Sequence, residues 1–333
     1  MKVSALNSLY KSKYLKSGLE FVADNGALFK AGACLTLATV ARPIAIYATP
    51  KTDKENKKLA CAKSISSSAI GFGLMMGASL PVTNSIKKID KSPSKYLKPE
   101  TVKSLKDKGK SLTSSGAYKF ATQLFKLGID TAFAVPKSLI TCALIPVVMS
   151  SIFGKTVKQD NEIMKPQPLP KNTITKKKDL NFTGRLPKEP LTKGISKIID
   201  TKFVQEISNK YKNSNYPMHI TASTDVIATG TFALQTAKSK KIKEDRKKPL
   251  INNAIISTGL SIVAGYGLDK ALDKPTEKFI DNFKKANKGC KNIDKCVEGI
   301  RIAKPALILG GIYYCVIPLI STFFAERVNN KKQ

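Results

Sequence analysis

The chain lacks most of the residues on which enzyme and metal sites depend. It contains no tryptophan and a single histidine, His219. One imidazole cannot build a Cys/His zinc site or a paired-histidine metalloprotease motif, and no serine-nucleophile elbow or Walker-type phosphate loop occurs in the chain. The sequence therefore predicts no catalytic, cofactor-binding or metal-binding residue and no enzymatic activity, with a pair of carboxylates acting as acid and base left open.

Acidic residues and arginines are scarce as well, in a chain with 57 basic and 24 acidic residues and a formal net charge of +33. Most of the basic residues are lysines, and the arginines are Arg42, Arg185, Arg246, Arg301 and Arg327. A net charge of this size favours anionic partners, such as lipid headgroups, nucleic acid or acidic proteins. A lysine-rich composition without any binding role is the alternative.

The lysine-rich runs are not typical of nucleic-acid binding. Recognition of phosphates and bases favours the bidentate guanidinium of arginine, and single-strand binding uses aromatic side chains among the basic ones. The runs at 174–178 and 238–248 contain no aromatic residue. We therefore predict that the lysines face the anionic headgroups of a lipid bilayer, with nucleic acid disfavoured and a homo-oligomer left open.

The six cysteines form no CxxC pair. Cys34, Cys142 and Cys315 lie in apolar stretches, where a free thiol behaves as a small buried hydrophobic group. Cys290 and Cys296 flank a lysine-rich turn, and they could form a disulfide only in an oxidising compartment. The sequence leaves open whether these two cysteines pair.

Long uncharged stretches indicate helices that cross a membrane. Residues 306–325 and 138–154 are the most apolar of them, and a crossing helix needs about 20 residues. Two further uncharged stretches, 64–86 and 249–268, are richer in serine, glycine and asparagine. Two weaker segments, 26–50 and 218–237, contain charged residues. The sequence therefore predicts an all-α, membrane-embedded helical bundle. Deeply buried core helices in a soluble protein are the alternative explanation.

Amphipathic segments and polar connections separate these stretches. Residues 1–25 form a basic amphipathic segment that is expected to lie on a surface. Residues 155–217 form a basic, mobile linker, within which apolar side chains recur at helical spacing and predict an amphipathic helix over 194–212. Residues 328–333 form a polar tail.

Two parts of the chain, 26–154 and 218–327, carry similar features in the same order. These features are a Lys-Glu turn after the first helix, at 54–55 and 243–244, and a Cys-to-Pro signature in the third helix, at 142–146 and 315–318. We therefore predict two related three-helix halves. If every helix crosses, three crossings invert the second half, as in many transporters, and the basic residues outside the 155–217 connection then place both termini in the cytoplasm. Fewer crossings, or re-entrant hairpins that return to one basic face, explain the uniformly basic loops more simply.

Charged residues inside crossing helices are costly and indicate a function by default. The candidates are Arg42, Lys126, Asp130 and Asp225. Arg42 and Asp225 lie in the first helices of the two halves, and an ion pair between them is one hypothesis. Exposure of two weak helices to solvent is the other. Four prolines are candidate helix breaks, because proline removes a backbone donor: Pro136, Pro146, Pro305 and Pro318.

These features favour an integral membrane protein, multi-pass or inserted as hairpins, that is either transporter-like or a membrane scaffold. Broken helices and odd-numbered halves favour transport, and a scaffold needs neither. The rival from another class is a soluble or peripheral basic helical bundle that binds nucleic acid or an anionic membrane surface. The sequence does not identify a substrate, an oligomeric state or the membrane in question.

Overall fold

Helices form all the regular secondary structure in the computed structural model, over the residues that it describes: 8, 10–154, 188–212, 214–290 and 292–330. The predicted all-α class is therefore confirmed. Five helices are long and apolar enough to cross a membrane, namely Leu28–Ala48, Lys54–Lys91, Gly116–Ile152, Glu244–Leu268 and Ile293–Val328. The remaining predicted crossing, 218–237, is helical but does not belong to these five.

The helices are numbered here in chain order. A short amphipathic helix, α1 (Lys13–Asp24), precedes the long helices α2 (residues 26–48) and α3 (Lys54–Lys91). Two short helices, α4 (Pro93–Tyr96) and α5 (Pro99–Leu105), and a 3-10 turn lead to α6 (Gly116–Ile152). The later part of the chain forms α7 (Lys188–Ile199), α8 (Lys202–Tyr211), α9 (Tyr216–Lys238), α10 (Glu244–Ala286) and α11 (residues 293–330).

The amphipathic helix predicted over 194–212 is two helices, α7 and α8. The chain leaves the helical path at Thr201, whose hydroxyl accepts the N–H of Val204 and caps the start of α8. A side chain that caps a new helix competes with continuation of the preceding one. The apolar spacing located the segment correctly but did not reveal this interruption.

One end of the bundle, the turn end, holds the tight turns that join α2 to α3 and α9 to α10. Asp53 begins α3 by accepting the N–H groups of Glu55 and Asn56. Arg246, at the start of α10, donates to the side chains of Asp53 and Asn56. Asn56 in turn donates to Glu326, near the end of α11, at 2.9 Å. This network holds both turns and the last helix at the same end.

The opposite end, the loop end, holds the longer connections between α3 and α6 and between α10 and α11. Two separate apolar clusters form there. In the first, α1 packs on the last turns of α10 and the first turns of α11, where Leu19 is buried with Phe283 and Ile300. In the second, α7 packs on the last turns of α3, where Ile199 is buried with Ile89.

The second half runs in the same direction as the first. Thr131 of α6 shares a hydrogen bond with Thr224 of α9, and Cys142 contacts Thr236, so the two helices are parallel. The predicted inversion is therefore wrong: α1 lies at the loop end, and the end of α11 lies at the turn end. The prediction assumed that the connection between the halves begins and ends on one side, whereas Gly154 follows the turn-end cluster and α7 lies at the loop end.

Three long helices widen into a π-turn directly before a proline. In each, the residue before the proline donates its N–H to the carbonyl five residues back. A proline ring clashes with the carbonyl four residues back, and the wider turn displaces that carbonyl. The π-turns are Leu37–Ala41, Met75–Ser79 and Ile312–Val316, followed by Pro43, Pro81 and Pro318.

Of the four candidate helix breaks, only Pro318 closely follows an irregular turn, the π-turn Ile312–Val316. Pro136 and Pro146 lie inside α6, which continues through both. Residue 305 lies within the regular first part of α11, Ile293–Gly311. The helices therefore continue through these three positions, because an interior proline can bend a helix without ending it.

Helices α1 and α11 approach each other most closely at Gly299. A Cβ atom at this position would lie 2.1 Å from the backbone carbonyl oxygen of Leu19. No side chain fits that distance, so the two helices can pack only because residue 299 is glycine. By contrast, Gly259 of α10 is exposed and a Cβ there would meet no atom within 4 Å.

We predict that Gly299→Ala destabilises the protein by about 1–3 kcal/mol, because the added methyl group forces the α1 and α11 backbones apart. The matched control Gly259→Ala should be neutral or stabilising by up to about 1 kcal/mol, since alanine is the better helix former. Thermal unfolding of the purified protein measures both. Equal midpoints for the two variants would contradict the close approach of the helices.

Candidate functional site

A large polar cavity lies among the six long helices, α2, α3, α6, α9, α10 and α11. Its volume is about 880 Å³, within the range of small-molecule sites. Its lining runs from Arg42 and Lys63 towards the turn end to Lys87 and Glu298 near the loop end. Beyond Arg42 and Lys63 the helices are buried in apolar clusters at the turn end. The cavity therefore extends towards the loop end.

The cavity carries more positive than negative charge. Its cations are Lys30, Arg42, Lys63, Lys87, Lys126 and Lys137. Its carboxylates are Asp130, Asp225 and Glu298. Serine and threonine hydroxyls are the commonest of the other lining side chains. The site therefore offers a cationic, hydrogen-bonding interior.

The outer surface of the same helices is apolar. On α6, Val135, Ile140 and Val147 are 41%, 47% and 54% exposed, whereas Ser138 and Thr141 line the cavity. A helix of a soluble protein turns its apolar face inward. The reverse distribution is typical of a bundle that is surrounded by lipid and has a polar interior.

The predicted intramembrane charges Arg42, Asp130 and Asp225 all line this cavity, although they come from three different helices. Within the described residues Arg42 and Asp225 form no ion pair, and Arg42 donates instead to the hydroxyl of Ser257 at 3.2 Å. Asp130 and Asp225 both interact electrostatically with Lys137. The structure therefore gathers the predicted charges but does not show the predicted pairing.

Four cavity cations were not among the predicted charges: Lys30, Lys63, Lys87 and Lys137. Lys63, Lys87 and Lys137 border uncharged stretches, and a lysine at such a border resembles one that faces water. The helical register contained a usable signal, because Lys63, Ser67 and Gly71 follow one another at intervals of four and share one face of α3. A polar face on a helix with apolar flanks indicates an interior water-filled space.

The three π-turns all contribute to the cavity lining, through Ala38, Met75 and Tyr314. Those of α2 and α11 also contact each other, and the Tyr314 hydroxyl lies against the thiol of Cys34. π-turns are frequent at functional sites. The π-turns of three helices thus all lie at the wall of the cavity.

The turn-end network closes the bundle beyond the cavity. Lys57 adds to it by donating to the backbone carbonyls of Tyr47, at the end of α2, and of Thr49, in the turn that follows. Partial burial of the Asp53 carboxyl acts to raise its pKa, but the N–H of Asn56 and the charge of Arg246 prevail and hold the pKa below its ordinary value. Asp53 is therefore an ionised anchor between the two turns.

Comparison with protein-family models, with curated proteins and with solved structures finds no match to this chain. No family is assigned on this basis. The function therefore has to follow from the geometry and chemistry of the cavity.

The cysteines provide a natural probe of the cavity. All six are free thiols in the structure, so Cys290 and Cys296 do not pair. Cys34 is exposed and lines the cavity, whereas Cys61 is buried in the turn-end cluster. The rate at which Cys34 reacts with charged reagents reports the sign of the cavity potential.

We predict that, in a variant retaining only Cys34, an anionic methanethiosulfonate reacts roughly tenfold faster than a cationic one at low salt, relative to free cysteine. The excess positive charge of the cavity concentrates the anion, and added salt should reduce the preference. A variant retaining only Cys61 should react little with either reagent. A preference no greater than that of free cysteine would contradict a water-filled, cationic cavity.

We predict that Asp53→Asn loosens the turn end, because asparagine still caps α3 but no longer pairs with the charge of Arg246. The folded-state pKa of Asp53 is lowered, so its stabilisation is complete above a pH of about 4 and is lost as the pH falls through the folded value. Hydrogen exchange at amides 51–58, corrected for intrinsic rates, should be faster in the variant at pH 7. The wild type should approach it only in acid. Identical protection at pH 7 would show that the pairing has no effect.

Proposed function

We propose that this chain is an integral membrane protein, built from two related three-helix halves, that binds a small polar solute in its central cavity and moves it across the membrane. The observation that carries this proposal is the reversed distribution of polarity, with charges and hydroxyls inside and aliphatic side chains outside. A membrane scaffold needs no polar cavity of about 880 Å³. Maintaining one requires that charged groups be placed at depth in the bundle, which is costly.

The packing supports two related halves, parallel rather than inverted. A short amphipathic helix precedes each half in the sequence and packs on the other half: α1 on α10 and α11, and α7 on α3. The first long helix of each half also packs along the third long helix of the other, α2 with α11 and α9 with α6. Parallel repeats related by an axis along the bundle are one of the two repeat arrangements of transporters.

The loop end has the surface expected of a contact with anionic headgroups. Tyr14 of α1 and Phe203 of α8 are 92% and 70% exposed. Lys13 and Lys202 directly precede them in the sequence. Exposed aromatic side chains beside lysines are typical of helices that lie at a membrane surface. We therefore propose anionic lipid as the partner of this end.

One observation favours a second candidate, a peripheral helical bundle that does not cross the membrane. Gly154 lies at the turn end, whereas Glu189 lies at the loop end, where it pairs with Lys88. Residues 155–187 contain no uncharged stretch of the about 20 residues that a crossing needs. A bundle axis perpendicular to the membrane would require this polar connection to pass between the two sides, and a peripheral bundle would not.

We predict that the protein stays with the membrane pellet through carbonate and high-salt washes and is released only by detergent, because its exposed aliphatic surface is solvated by lipid tails. Salt-sensitive lysine contacts contribute little to that retention. Release by salt alone would replace the proposed function with the peripheral candidate. Recovery in the soluble fraction without any wash would exclude both.

We also predict that tags at the two termini of an integral form are reached from opposite sides of the membrane, since α1 and the end of α11 lie at opposite ends of the bundle. Protease protection in sealed vesicles of known orientation measures this. Two tags accessible from the same side would contradict parallel halves that cross the membrane.

A further inference from the structure

Two cations line the part of the cavity nearest the turn end. Arg42 comes from α2, directly after its π-turn, and Lys63 comes from α3. The positive charges of Arg42 and Lys63 are close enough to repel each other. Ile46 and Cys61, one helical turn or less beyond them, are 1% and 0% exposed. Arg42 and Lys63 therefore form the floor of the cavity at the turn end.

Neither cation has a carboxylate partner in the part of the chain that the structure describes. Among the described residues no ion pair includes Arg42 or Lys63. Arg42 makes one hydrogen bond, to Ser257, and its Nε is enclosed without any hydrogen-bond partner. Lys63 rests over the ring of Phe232, with its Nζ 4.5 Å from the ring centroid. An enclosed guanidinium N–H without an acceptor is costly, and so is a pair of neighbouring like charges.

The surroundings of the pair are rich in hydroxyl groups. Ser64 and Ser67 lie on α3 next to Lys63, Thr229 and Thr258 share a hydrogen bond across α9 and α10, and Tyr314 lies close to Arg42. The carboxylates Asp130 and Asp225 face Lys137 instead. Among the described residues no carboxylate pairs with Arg42 or Lys63, although Asp225 interacts electrostatically with Tyr314, so the floor of the cavity is a positive, hydrogen-bonding pocket.

We infer that Arg42 and Lys63 bind the oxyanion, a phosphate or carboxylate group, of a small hydroxylated organic molecule. A guanidinium holds such a group through two parallel N–H donors, and an ammonium adds a point charge. The hydroxyl groups above the floor bind the polar remainder of the molecule. The transport of this molecule across the membrane rests on the proposed function, whereas its binding needs only the cavity.

The test uses the full chain, purified in a neutral detergent or in nanodiscs of phosphatidylcholine. The probes are inorganic phosphate, citrate and glucose 6-phosphate, with glucose as the uncharged control. We expect at least one of the anions to bind by calorimetry and to raise the unfolding temperature, and glucose to do neither. Arg42→Gln and Lys63→Gln should each weaken that binding roughly tenfold, and the double variant should abolish it.

Matched controls separate binding from folding. Arg301→Gln and Lys103→Gln remove an arginine and a lysine that are exposed and lie outside the cavity, and both should bind the anions as the wild type does. Without ligand, Arg42→Gln should unfold at or above the wild-type temperature, because an uncompensated charge has been removed. Should that variant fail to fold, Arg42→Lys keeps the charge, loses the fork, and should still weaken binding.

The outcomes are distinguishable. Failure of all three anions to bind, or equal binding by the double variant, would overturn the assignment even if the protein proves integral to membranes. Arg42-dependent binding in a protein that salt washes from membranes would keep the oxyanion site and remove the transport proposal. Competition by nanodiscs containing phosphatidylglycerol, if it too depends on Arg42, would identify the bound oxyanion as a lipid headgroup.

Discussion

The cost of holding charged and hydroxyl groups inside an apolar shell governs the arrangement of the long helices. Many of these groups are satisfied by neighbouring helices: Ser64 of α3 donates to a carbonyl of α2, Ser138 of α6 donates to a carbonyl of α9, and Asn253 of α10 donates to Thr322 of α11. A hydrogen bond between helices contributes about 0.6 kcal/mol when the helices lie in a lipid bilayer, where burial of apolar surface contributes little to their association. Ser64 and Ser138 line the cavity, so these two cavity hydroxyls also hold neighbouring helices together, and the Asn253–Thr322 bond adds a contact outside the cavity.

The π-turns connect helix chemistry to the cavity. A proline two residues beyond each turn would otherwise collide with the preceding turn of its own helix, and the extra residue in the wider turn relieves that collision. The same adjustment rotates the side chains that follow. Arg42 lies between the π-turn and Pro43 of α2. The position of this side chain, which we infer to bind the anion, therefore depends on a proline that does not itself line the cavity.

The sequence predicted the local structure well and the tertiary relations poorly, for physical reasons. Uncharged runs and helical spacing record which face of a segment avoids water, so the long helices and the amphipathic α1 and α7 were predictable. Arg42, Asp130 and Asp225 were identified one at a time as costly charges, but nothing local states that three helices bring them to one cavity. The direction of the second half depends on where the chain goes after Gly154, which neither composition nor periodicity records.

The reciprocal packing of the amphipathic helices has a consequence for how the chain can mature. When a ribosome has completed α6, the apolar groups of the loop end of the first half, such as Ile89, still await α7, and α1 still awaits the last turns of α10. Neither half is self-sufficient at that stage, and each supplies the cover for the other. Folding is therefore complete only after the last helix has been synthesised. A chain cut between the halves leaves two fragments that each expose apolar surface until they associate with each other.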